Sequence, residues 1–119
     1  MTLELIRPLA LSLPRTTEHL IRDRVKFRIR QIVYLAFSRD ETVMGFAFPK
    51  DEREALVDSR PETFVLPSAG DLRYHWVHAR LDSLDWKETQ ELVIDAWCMC
   101  VPKSVAVDHL RCLGLGDKD

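Results

Sequence analysis

The stretch "RVKFRIRQIVYLAFSRDETVMGFAF", residues 24–48, decides the fold class. Its first part alternates, with apolar Val25, Phe27 and Ile29 set between Arg24, Lys26, Arg28 and Arg30. A repeat of two is the side-chain period of a strand, so residues 24–30 carry one apolar face and one cationic face. "IVYLAF" (32–37) and "TVMGFAF" (42–48) are apolar on both sides; in the first, Ile32, Tyr34 and Ala36 oppose Val33, Leu35 and Phe37. Strands of that kind sit in mid-sheet, at least partly covered on both faces. "SRDE" (38–41) supplies the turn between them, and strands joined by short turns pair antiparallel.

Helices and further strands extend outward from this centre. Residues 2–13 set Leu5, Ile6, Leu9, Ala10 and Leu13 on one helical stripe, with Pro8 inside it and Pro14 ending it. "PKDEREALVDS" (49–59) predicts a short helix started by Pro49 or Lys50, where Asp51, Glu52 and Glu54 complement the positive end of the dipole. "TFVL" (63–66) is a short strand, "SAGD" (68–71) a loop, and "RYHWVHARL" (73–81) another strand. Asp85 is an N-cap with Glu88 three residues on, the spacing of a capping box. Thr89, Leu92, Val93, Ala96, Trp97 and Cys100 then follow helical spacing up to Pro102, and "SVAVDHLRCLG" (104–114) is a last helix ended by Gly114. The order α-β-β-β-α-β-β-α-α implies an α+β fold of two layers, an antiparallel five-stranded sheet packed by helices, in one domain spanning 1–119.

Composition places the chain among ordinary globular proteins, with 46% hydrophobic and 30% charged residues. No run approaches the ~20 apolar residues of a membrane span, so no membrane association is expected. "MTLELIRPLA" lacks a basic segment followed by an apolar one, so a cytoplasmic address is expected. The cysteines Cys98, Cys100 and Cys112 are odd in number, which argues for reduced thiols. The net charge of −2 hides an asymmetry: residues 22–30 carry five cations against Asp23, a local charge of +4 that leaves −6 elsewhere.

At "RYHWVHARLDSLDWKETQELVIDAWCMCVPKSVA" (73–106) the chain resembles the MmcQ/YjbR family: a strand carrying Trp-Val and Arg-Leu, a turn into Asp-Trp, then "ELV", "AW" and "PK". "LALSLP" (9–14) is similar to that family's first helix, "KFRIR" (26–30) to its first strand, and "PKDEREALV" (49–57) to its middle helix. The resemblance implies a two-layer α-β(3)-α-β(2)-α fold, no established enzymatic activity and no cofactor. The family is commonly labelled DNA-binding because its fold is similar to a double-wing module, while its topology is also similar to that of secretion chaperones, which bind proteins. Both labels rest on fold analogy, and no functional residues are carried over.

Two surfaces stand out. Arg24, Lys26, Arg28 and Arg30 project ~6–7 Å apart from one side of their strand. They suit a nucleic acid or an acidic partner, or they guard an outer strand against edge-to-edge aggregation. On residues 73–81, period two puts Tyr74, Trp76, His78 and Arg80 on one face, away from the aliphatic set that meets the helices. If that face is open, its aromatic groups stack bases or form the interface of a homodimer. His75 and His78 point to opposite faces, so no metal spacing arises. No nucleophile elbow, P-loop or dinucleotide fingerprint is present, and Gly114 and Gly116 precede no helix. The expectation is a binding domain rather than an enzyme, with DNA or a second copy of itself as partner, and no catalytic or metal residues.

Overall fold

In the computed structural model, which describes residues 1–112, the alternating stretch and its neighbours form consecutive antiparallel strands. The strands are β1 (Thr16–Ile21), β2 (Arg24–Ile29), β3 (Ile32–Phe37), β4 (Val43–Ala47), β5 (Phe64–Val65) and β6 (Trp76–Arg80). They lie in the order β1-β2-β3-β4-β6-β5. The helices are α1 (Leu3–Ser12), α2 (Lys50–Ser59), α3 (Trp86–Cys98) and α4 (Lys103–Cys112).

The α+β, antiparallel, helix-packed architecture is the one expected, but the sheet has six strands rather than five. The added strand is β1. Its polar Thr16, Thr17, Glu18 and His19 lack an apolar alternation, because an edge strand has only part of its surface buried. The two-residue turn that follows, Arg22–Asp23, has positive φ at both positions (53° and 66°), a type I′ geometry usually signalled by Asn-Gly. Because β1 pairs with β2, the cationic strand is not an edge, and its charges do not serve edge protection.

The core lies between one sheet face and the helices. Phe27, Leu35, Phe37, Met44, Phe46, Phe64, Val77 and Ala79 are buried there. Phe27 meets Phe37 edge-on at 6.1 Å, and Phe46 meets Phe64 at 6.4 Å. Helix α3 packs on β3 and β4, α1 on β1 and α3, and α2 on β5 and β6. Its N-cap is as expected, with Asp85 accepting from the Glu88 N–H at 2.8 Å. The Glu88 carboxylate does not close a box; it pairs with Arg60 instead. Thr89, Leu92, Val93, Ala96 and Trp97 form the buried stripe of α3, and the Trp97 Nε1–H donates to the Pro14 carbonyl at 2.9 Å. In α1 the buried set is Leu3, Ile6 and Ala10, while Leu5, expected on the apolar stripe, is 55% exposed. The last helix runs to Cys112, and the expectations for Gly114 and Gly116 fall outside the described residues. Among the described residues no helix is long and apolar enough to cross a membrane.

Candidate ligand groove on the open sheet face

The sheet face opposite the core is built from short side chains at its centre. Direct cross-strand pairs link His19 to Lys26, Lys26 to Ala36, Ala36 to Gly45, Gly45 to His78, and His78 to Val65. Residues directly opposite one another in an antiparallel sheet project to the same side, so this row crosses all six strands on one face. In the middle of the row, Ala36 and Gly45 leave the backbone low. A groove of about 830 Å³ follows from that depression, lined among others by Arg24, Lys26, Ala36, Gly45, Trp76 and His78.

Gly45 is fixed in identity by its neighbour. A Cβ there would stand 2.7 Å from Trp76 Nε1, 2.8 Å from Cζ2 and 2.9 Å from Cε2. Trp76 pairs with Ala47, two residues along β4 from Gly45, and its indole leans across onto the Gly45 position. The ring is half-buried and borders the groove. Tyr74 lies just before β6, which starts at Trp76 rather than at residue 73. It still borders the groove, and its hydroxyl accepts a hydrogen bond from Arg73 at 2.8 Å.

Loop 72–75 is held by a buried cation that its sequence did not flag. Arg53 on α2 is 8% exposed and donates to the carbonyls of Tyr74 at 2.9 Å and Leu72 at 2.5 Å, with a longer approach to that of Trp76. His75 accepts from the Lys50 N–H through Nδ1 at 3.2 Å. These bonds fix the approach of the chain into β6, and so the placing of both aromatic rings.

The four cations of the alternating stretch separate. Arg24 and Lys26 line the groove, and among the described residues the ion pairs are Arg7–Glu18 and Arg60–Glu88, so neither groove cation sits in an ion pair, while the Asp71 carboxylate also borders the groove. Arg28 turns toward β1, where it donates to His19 Nδ1 at 3.1 Å while its Nε is buried without a partner. Arg30 lies outside β2, in the turn before β3, with φ at 56°. Arg80 stands at the end of β6 opposite Val43, which borders the groove, but does not itself line it, and makes no ion pair with Asp82. His78 is in the groove, where burial pushes its pKa below the ordinary imidazole value against the opposing pull of Asp71. Burial likewise pushes up the Cys98 and Cys100 thiols, which are free.

The structure thus brings Arg24, Lys26, Tyr74, Trp76 and His78 together and leaves Arg28, Arg30 and Arg80 outside. Sequence reasoning missed Ala36 and Gly45, the floor, and Arg53, the brace. Gly45 alone had a sequence signal, as an isolated glycine within a strand, which often marks a close approach.

Comparison with known proteins agrees with this geometry at the level of fold. No curated protein matches the chain. Among solved structures, the crystal structure of the Deinococcus radiodurans protein DR2400, with family-model domain DUF419, superposes with a TM-score of 0.73 at 18% identity, covering 99% of this chain and 91% of that one. The family model described as YjbR matches residues 11–99, from the end of α1 to the end of α3, and takes in every strand and every residue of the groove named above. The chain belongs to the YjbR family.

Proposed function

We propose that the protein is a non-enzymatic, cytoplasmic binding module whose open sheet face takes single-stranded nucleic acid, with DNA as the first candidate. The observation that carries this reading is the sharing of one groove by an indole and two cations held in no ion pair, Trp76 with Arg24 and Lys26. Every base has a π-face, so an aromatic ring beside cations holds single strands with little regard to sequence. Duplex binding has less support. A duplex keeps its bases stacked, and of the four cations along the alternating stretch only Arg24 and Lys26 border the groove.

The test is fluorescence anisotropy at low salt with a labelled oligothymidine and a duplex of equal length. Wild type should bind the single strand more tightly, and the Arg24→Glu/Lys26→Glu variant should lose at least about tenfold, since each charge-assisted contact is worth more than a neutral hydrogen bond. Equal binding by that variant, or none by wild type, rejects the reading.

A second copy of the chain is the alternative occupant. Ile32, at 53%, and Met99, at 42%, are exposed apolar groups that also border the groove, and monomers seldom leave a large apolar patch uncovered. Sedimentation equilibrium separates the two: a dimer that dissociates on Ile32→Glu supports self-association, and a monomer at high concentration rejects it.

A further inference from the structure

Resting on the single-strand reading, we infer that the groove takes one nucleobase as a recognised ring, stacked against Trp76 with its edge on His78 and its phosphates on Lys26 and Arg24. Three observations lead there. The first is the row Lys26–Ala36–Gly45–His78, which sets a cation, a small-residue floor and an imidazole in line on one face. Lys26 and Gly45 are two strand spacings apart, ~9.6 Å. An extended lysine reaches over much of that span, so a sugar fits above Ala36 with its base at the indole.

The second observation is the polar state of His78. No side-chain hydrogen bond among the described residues engages its ring, and its burial in the groove disfavours the charged imidazolium. A neutral imidazole offers one donor and one acceptor, which is the complement a base edge requires. The third is the fit between Gly45 and Trp76. The backbone approach lets the indole lie low in the groove, and any side chain at residue 45 would displace it. A surface that held phosphates alone would need neither the glycine nor the imidazole.

The experiment compares a labelled oligothymidine with an abasic deoxyribose-phosphate oligonucleotide of the same length, for wild type, Gly45→Ala and His78→Ala. Wild type should hold the base-bearing strand about tenfold more tightly than the abasic one. Gly45→Ala should bring the affinities for base-bearing and abasic strands to equality, with circular dichroism checking that the variant is folded. His78→Ala should change the relative affinities for oligothymidine, oligodeoxyadenosine and oligodeoxycytidine. Equal wild-type affinity for base-bearing and abasic strands overturns the inference and leaves the single-strand reading standing. Unchanged base preference in His78→Ala removes His78 from it. Failure of wild type to bind either strand removes both.

Discussion

The guanidinium of Arg53 donates to the carbonyl of Tyr74 at 2.9 Å, tying α2 to a loop 21 residues further along the chain. The same group reaches the Leu72 carbonyl. A buried carbonyl that loses its donor costs about 1–3 kcal/mol. Leu72 and Tyr74 are exposed residues, so water re-solvates part of what is lost, and Arg53→Ala should lower the unfolding free energy by about 1–2 kcal/mol. Urea denaturation measures it, and Arg53→Lys, with one ammonium in place of a planar fork, should recover only part.

Gly45→Ala asks how tightly the indole is held. Adding a methyl where Trp76 stands forces the ring outward. Overpacking of this kind costs about 1–3 kcal/mol, and Trp76→Phe in the same background should return part of the loss, since a smaller ring leaves room. Thermal unfolding of the three variants checks the order.

The chain's ability to specify this fold was uneven, for physical reasons. Strand β2 was legible because apolar residues alternate with cations along it, β3 and β4 because they are continuously apolar, and α3 because Asp85 caps it and its buried residues repeat at helical spacing. Strand β1 was not. It is an edge strand of polar residues, and its turn is Arg22–Asp23, which has left-handed backbone at both positions without the glycine that usually marks such a turn. The groove was half legible. Alternation put Lys26 and Trp76 on the helix-free side, but no local pattern says that Arg28 turns to His19 or that Arg53, in a helix that reads as charged and solvated, is buried.

That unexpected turn makes a prediction of its own. Arg22 and Asp23 both adopt left-handed backbone, a conformation that costs an L-residue roughly 1–2 kcal/mol. Asp23→Gly should stabilise the protein by about 0.5–1 kcal/mol, the gain in the turn being reduced by the greater freedom of glycine in the unfolded chain. Chemical denaturation reads it directly.

His78 should couple stability to pH. Burial holds its folded pKa below the ordinary value, which is ~6.5. Above ~6.5 both states are neutral and the coupling is silent. As pH falls below that value the unfolded chain binds the proton first, so stability declines until the folded pKa is passed, then levels off. Urea unfolding at pH ~7 and pH ~5 should show the decline in wild type and a smaller one in His78→Asn.

Three tryptophans make the proposed binding face observable. Trp76 borders the groove, Trp97 is buried with its N–H on Pro14, and Trp86 is exposed at the start of α3. In a titration with oligothymidine followed by nitrogen–proton NMR, the account predicts that the Trp76 indole N–H resonance moves progressively to saturation while those of Trp97 and Trp86 stay in place. A saturable shift at Trp86 with Trp76 unmoved would contradict it.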